Sequence, residues 1–301
     1  MIRFQGFTKR FGAHTAVDGL TLEVAAGEVV ALLGPNGSGK TTSLKAAAGL
    51  VVPTAGEVTV GDPPRPASDP AARRVCSFLP QKVSFPEALS GREVVEFYRA
   101  LRGASAERTD EVLRFASLNG AGSRLVGTYS GGMVQRLGLA VAMLPDAPVL
   151  LLDEPTAALD PDGLCAFYGV VERRRAEGRT VLFTSHQLGD VERLADRFVV
   201  LIEGRQVAAF SQRDLADRLA DRGVMRVRLA ACPPDLVARV RALAPRALWV
   251  EASRELIVPG PATLRPQVLD IVRAAGAEIR GLTAEEGRLD AFYRELVEAH
   301  R

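Results

Sequence analysis

Cysteine, histidine and lysine are scarce in this 301-residue chain, and no long apolar run is present. The cysteines, Cys76, Cys165 and Cys232, are odd in number, far apart and never spaced Cys-x-x-Cys. That argues against a disulfide framework and against a structural zinc site. His14, His186 and His300 are too scattered for a histidine-rich metal site. The longest apolar stretch, Leu137 to Leu152, is interrupted by Pro145 and Asp146 and is too short to span a bilayer. The opening Met1-Ile-Arg-Phe-Gln-Gly lacks the apolar segment of a secretory signal, so the expectation is a cytoplasmic protein. An excess of one charge is missing as well. The 38 basic and 36 acidic residues leave a formal net charge of +2, which gives no electrostatic case for nucleic acid as a partner. Only Lys9, Lys40, Lys45 and Lys82 are lysines; the other basic residues are arginine. A lysine inside a motif is therefore informative.

What is present is a globular composition, 47% hydrophobic and 25% charged. The length suits two domains, or one large domain with an appendage. Val29–Leu33, Val149–Leu152, Thr180–Thr184 and Phe198–Ile202 are short apolar runs that read as buried strands. Ile2–Phe7 and Leu20–Val24 alternate as half-exposed strands do. A helix is expected over Ser43–Leu50, and helical patterns fill Gln81 to Leu144: Glu93–Leu101, Glu107–Ala116 and Gly132–Leu144. The expectation is an α/β core with a mixed sheet, carrying a helical insertion at about 81–145. After Ser211 the texture changes. Strands are expected at Val224–Leu229, Leu248–Ala252, Glu255–Val258 and Glu278–Leu282. Helices are expected at Pro234–Ala244, Pro261–Ala275 and Glu285–Ala299. The order βαββαβ is the split βαβ, ferredoxin-like pattern of a small α+β domain. The expected domains are 1–211 and 212–301.

Three segments carry chemistry. Gly34-Pro35-Asn36-Gly37-Ser38-Gly39-Lys40-Thr41-Thr42 fits the phosphate-loop pattern Gly-x4-Gly-Lys-Thr, between a strand and a helix. Its glycines let backbone N–H groups cradle phosphates, with the helix dipole behind them. Lys40 is expected at the β- and γ-phosphates of ATP, and Thr41 at Mg²⁺. Val149–Leu152 then aims Asp153 at that cation, through a water, and places Glu154 to orient or deprotonate the attacking water. Alone, an apolar strand ending in Asp-Glu would signify little; its pairing with the phosphate loop gives it meaning. Finally, Ser130 can cap a helix while Gly131 and Gly132 expose first-turn N–H groups, making a second anion site. One chain needs one γ-phosphate site, so the second suggests completion of a neighbour's site.

At these segments the chain resembles the ATP-binding cassette family, the ATPase subunits of ABC transporters. Gly34–Thr42 matches its Walker A motif, Val149–Glu154 its Walker B motif, and Ser130–Gln135 its signature, with Met133-Val134-Gln135 at the variable end. Gln81 matches the Q-loop, Ala158-Leu159-Asp160 the D-loop, and His186 the switch histidine. Phe11 falls where the family stacks an aromatic ring on adenine, usually a tyrosine. The match covers about residues 1–210.

The resemblance implies a P-loop fold of ABC type and ATP and Mg²⁺ as cofactors. It implies a head-to-tail homodimer in which Ser130, Gly131, Gly132, Met133 and Asp160 act in trans. Glu154 would be the base, His186 would hold the γ-phosphate, and Gln81 would touch Mg²⁺ beside Thr41 and Asp153. Membrane-spanning permease subunits, encoded separately, would hold the protein on the inner face of the cell membrane. A finer resemblance links Phe85–Val94 and Phe97–Gly103 to the exporter ATPases of nitrous-oxide-reductase maturation, which serve copper or sulfur supply. The tail Leu289–Tyr293 is similar to that group and to drug- and haem-export ATPases. That group often carries a lysine in the signature and a glutamate at the Q-loop position, where this chain has Gly132 and Gln81. Two alternatives remain at this point. A non-transport ABC ATPase would usually show two cassettes or a coiled-coil insertion. A binding module without turnover would have an altered Lys40 or Glu154.

Overall fold

The computed structural model describes residues 1–157 and 159–300; Ala158 of the D-loop triplet and Arg301 lie outside the described residues. The chain divides into two compact units, Met1–Phe210 and Ser211–Arg301.

The first unit opens with β1 (Ile2–Phe11) and β2 (His14–Val24), then β3 (Val29–Leu33) and α1 (Lys40–Ala47). Next come β4 (Ala55–Val60), β5 (Arg65–Pro66), α2 (Pro70–Arg74) and β6 (Cys76–Leu79). The helical insertion is α3 (Gly91–Arg102), α4 (Glu107–Phe115) and α5 (Gly131–Met143). The unit closes with β7 (Val149–Leu152), α6 (Pro161–Ala176), β8 (Thr180–Thr184), α7 (Leu188–Leu194), β9 (Arg197–Ile202) and β10 (Arg205–Ser211).

These strands form two sheets, ordered β2-β1-β4-β5 and β10-β9-β3-β8-β7-β6. The first is antiparallel. In the second, β9, β3, β8, β7 and β6 run parallel. Every residue of β3, β7 and β8 is buried, as expected of parallel strands covered on both faces. Phe4, Phe7 and Val58 of the antiparallel sheet pack with Leu32, Leu151, Leu182 and Leu201 of the other, with Leu44 of α1 in the same core. Insertion helices α3, α4 and α5 pack on one another, and α5 on β6. Helix α3 starts in a full capping box: Ser90 Oγ accepts from the Glu93 N–H, and the Glu93 carboxylate accepts from the Ser90 N–H.

The second unit contains α8 (Gln212–Ala220), β11 (Val224–Leu229), α9 (Leu236–Leu243), β12 (Leu248–Val250) and β13 (Glu255–Pro259). It ends with α10 (Arg265–Ala274), β14 (Ile279–Glu285) and α11 (Leu289–Glu298). Its sheet runs β12-β13-β11-β14, each neighbouring pair antiparallel. Val227 and Leu256 face Val240 of α9 and Val268 and Val272 of α10 in a separate core.

Several element bounds differ from the sequence expectation. Helix α1 begins at Lys40, directly after Gly39, and not at Ser43. The last helix begins at Leu289, because Glu285 is still paired with Val224 in the sheet. The elements α6, α7, β4 and β6 carried no assignment from sequence.

Candidate active site

Parallel strands bring their C-terminal ends to one edge. Leu32 lies level with Thr184, Leu152 with Phe183, and Leu79 with Leu152. The loops after β3, β6, β7 and β8 therefore leave that edge together, carrying Gly34–Gly39, Gln81, Asp153-Glu154 and Ser185-His186. A cavity of about 420 Å³ lies there, lined by Phe11, His14, Ala16, Asn36 to Thr42, Gln81 and Glu154.

The phosphate loop needs two of its glycines sterically. A Cβ on Gly34 would sit 2.2 Å from the Leu201 carbonyl oxygen. Gly39 caps α1 with φ +96°, and its Cβ would sit 2.6 Å from the Ala16 carbonyl oxygen. Lys40 is buried beneath this loop and donates from Nζ to the carbonyls of Gly34 at 2.8 Å and Pro35 at 3.0 Å. Burial lowers its pKa, while the nearby Glu154 and Asp153 carboxylates oppose that shift.

Asp153 accepts through Oδ1 from Thr41 Oγ1 at 3.0 Å and from Thr184 Oγ1 at 2.9 Å. Burial raises its pKa and the two hydroxyls lower it; Glu154 adds to the rise. Its other oxygen, Oδ2, is buried with no partner, as is Ser38 Oγ. A buried carboxylate oxygen without a donor is a strong acceptor awaiting a cation or a water. Among the described residues no cluster of three His, Cys, Asp or Glu could hold a metal ion. A cation here therefore needs oxygens from a nucleotide and from Thr41, and the donor set fits a hard divalent ion.

Glu154, two residues beyond β7, sits in the left-handed region, φ +46°, its N–H held by Thr184 Oγ1 at 2.8 Å. That turn directs its buried carboxylate to Gln81 Nε2 at 2.7 Å and His186 Nδ1 at 3.5 Å. One carboxylate oxygen thus meets both remaining candidates. Phe11 is half exposed at the cavity mouth, with Lys9 Nζ 5.0 Å from its ring centroid.

The residues expected to act in trans do not line this cavity. Ser130 caps α5, accepting from the Met133 N–H at 3.2 Å, with Gly131 exposed in the first turn. Asp160 caps α6 through the Gly163 N–H at 2.9 Å and meets Arg136 Nη2 at 3.4 Å. Sequence reasoning missed Thr184, which bonds both Asp153 and Glu154. Its place at the end of a strand beside β7 was the available signal. Nothing in the pattern pointed to His14 or to Arg136.

Residues 17–157 match the family model described as "ABC transporter". The chain is 39% identical over 211 residues to Nod factor export ATP-binding protein I of Burkholderia lata, covering 69% of each chain. It is 35% identical to the daunorubicin resistance ATP-binding protein DrrA3 of Streptomyces coeruleorubidus, over 98% of this chain and 95% of that one. Among solved structures, an ATP-binding subunit of an ABC transporter superposes with a TM-score of 0.66 at 28% identity, over 72% of this chain and 92% of that one. The dimeric ATP-binding cassette MJ0796, bound to ADP and Pi in a post-hydrolysis state, gives 0.65 at 27% identity, over 71% and 99%. With a phosphate loop, a buried aspartate and a turned glutamate on one sheet edge, the chain belongs to the ABC transporter family, as an ATP-binding, ATP-hydrolysing subunit.

Proposed function

We propose that two copies of this chain close head-to-tail on two ATP molecules and so drive an exporter whose membrane-spanning subunits are separate chains. The observation that carries this is the meeting of Lys40, Thr41, Asp153, Gln81, Glu154 and His186 at one sheet edge. In this reading Lys40 neutralises the β- and γ-phosphates, and the loop N–H groups from Gly34 to Thr42 cradle them. Mg²⁺, when bound, supplies charge neutralisation on the phosphate oxygens, held by Thr41, by Gln81 and, through water, by Asp153. Glu154 accepts the proton of the attacking water, and His186 steadies the γ-phosphate. Ser130, Gly131, Gly132, Met133 and Asp160 serve the partner's nucleotide, which is consistent with their lying outside the cavity of their own chain. Phe11 stacks on adenine with its one free face.

No helix among the described residues is long and apolar enough to cross a membrane. A transport role then requires docking on membrane subunits at the inner face of the membrane. The daunorubicin-resistance relative and a Nod factor export relative of Rhizobium sp. (strain N33) each span nearly the whole chain, second unit included, which supports an export role. The copper-maturation reading is supported only by the segments Phe85–Val94 and Phe97–Gly103. The second unit, with its βαββαβ order and 4-1-3-2 strand arrangement, is read as a ferredoxin-like accessory domain for dimer contact or regulation.

Two outcomes test this reading. Phe85 packs edge-on against Tyr98, centroids 5.9 Å apart, beside the strongly exposed Phe97 and Leu101. Phe85→Asp should preserve ATP binding and abolish co-purification with the membrane subunits. Phe97→Asp, at a side chain that is 61% exposed and meets only the edge of the Tyr98 ring at 5.3 Å, should do the same with the fold kept. Normal assembly and transport in both variants would place the docking surface elsewhere. Deleting 212–301 should keep ATP binding and alter dimerisation or rate. A truncated chain that folds but binds no ATP would move the domain boundary.

A further inference from the structure

A second polar cavity, about 230 Å³, opens at the starts of β7 and β8, the opposite end of those strands from Asp153 and Thr184. Four arginines line it: Arg108 of α4, Arg173 and Arg174 in the last turn of α6, and Arg179 just before β8. They alternate with three carboxylates. Glu111 joins Arg108 at 2.6 Å to Arg173 at 2.9 Å. Glu177 joins Arg173 at 2.9 Å to Arg174 at 3.7 Å. Asp146 joins Arg174 at 3.3 Å to Arg179 at 2.7 Å.

The series begins and ends on arginine. Each of the six carboxylate oxygens already faces a guanidinium nitrogen, with Arg174 Nη1 shared between Glu177 and Asp146. A guanidinium has five N–H donors and no acceptor, so four arginines against three carboxylates leave N–H donors and positive charge in surplus. The Met143 and Pro145 carbonyls, bonded to Arg108 and Arg174, do not balance this. Nε of Arg108 and Nε of Arg174 are buried without a partner, and the Arg174 side chain is only 2% exposed. Burial also lowers the Arg174 pKa, the direction expected of a charge not fully compensated. The missing partner is a compact acceptor of negative charge. The volume is several times the roughly 30 Å³ of a liquid water, enough for a tetrahedral oxyanion with water around it.

We propose that this cavity binds a free inorganic oxyanion of the phosphate type, making a second anion site remote from the phosphate loop and independent of the transport reading above. The paired guanidinium geometry suits phosphate oxygens. Because the site joins α4 of the insertion to α6 of the core, its occupant would tie those two elements together.

The test is equilibrium dialysis of radiolabelled inorganic phosphate against the full chain, its phosphate loop first saturated with Mg²⁺ and a non-hydrolysable ATP analogue. The expected result is one bound phosphate per chain, weakened by added salt. Arg108→Gln and Arg179→Gln should each weaken it at least tenfold with nucleotide affinity unchanged. The Arg179 side chain is 27% exposed, so that variant is the one least disturbing to the fold. No saturable phosphate once the loop is filled would overturn the proposal, leaving a closed structural network. So would unchanged phosphate affinity in both variants.

Discussion

Glu154→Gln should bind ATP normally, lose turnover by about 10²–10⁴-fold, the usual share of a positioned base, and accumulate as a dimer. The glutamate carboxylate meets Gln81 Nε2 at 2.7 Å and lies within 3.5 Å of His186 Nδ1. A glutamine oxygen can still accept from the Gln81 amide, so the pocket keeps its shape. The backbone turn is held by Thr184 Oγ1 and φ +46° at residue 154, neither of which depends on the carboxylate charge. What disappears is the capacity to take a proton from water. Phosphates that cannot be cleaved keep the two chains closed, so size-exclusion chromatography with Mg-ATP should show an earlier peak for the variant than for wild type. Unchanged elution together with unchanged turnover would remove both the base and the closed dimer from the reading.

The core strands of the parallel sheet were legible because each is short, buried on both faces and apolar through its centre: β3, β7 and β8 stand where their runs of Val, Leu and Phe do, with threonines only at the two ends of β8. Their adjacency was not legible. The order β10-β9-β3-β8-β7-β6 follows from crossovers that leave no trace in local pattern. That is why Thr184 went unread as a ligand of Asp153, although its own strand was identified. Strand β6 (Cys76–Leu79) was missed because four residues beside a turn carry too little periodicity. Helix α6 was missed for a different reason. Its signal is present, Asp160 as cap and Pro161 in the first turn, but the same Asp160 also completes the loop triplet Ala158-Leu159-Asp160, which reads as irregular chain. A single residue serves both roles: one carboxylate oxygen caps the helix, and the other meets Arg136.

The site itself divides in the same way. Residues linked by sequence spacing, Asn36 to Thr42, form one wall of the cavity because loop and helix are continuous. Gln81 and Glu154 are 73 positions apart, yet their side chains touch at 2.7 Å, a contact only the parallel pairing of β6 with β7 could produce. The Arg108 to Arg179 network had no sequence signature. Arginine is so frequent here that clustering becomes visible only once α4 and the end of α6 are brought together.

Lys40→Ala should weaken nucleotide binding by about 10–100-fold, the loss of one or two charge-assisted hydrogen bonds, and reduce turnover by a further ~10²–10³-fold, as for removal of a transition-state charge stabiliser. No other lysine lies in the loop. Stability should respond in the opposite sense to activity. The ammonium is buried, and burial lowers its pKa from the unfolded value, so folding disfavours the charged form at neutral pH. Its bonds to the Gly34 and Pro35 carbonyls offset part of that penalty, and in the alanine variant water can enter the loop and satisfy those oxygens. The nucleotide-free variant should therefore unfold at or slightly above the wild-type temperature, with the wild type overtaking it once Mg-ATP is added. Differential scanning calorimetry of both proteins, with and without nucleotide, reads this crossing directly. A variant that is less stable without nucleotide would show that Lys40 holds the loop together in the free protein, and that its loss of activity reports folding as much as phosphate binding.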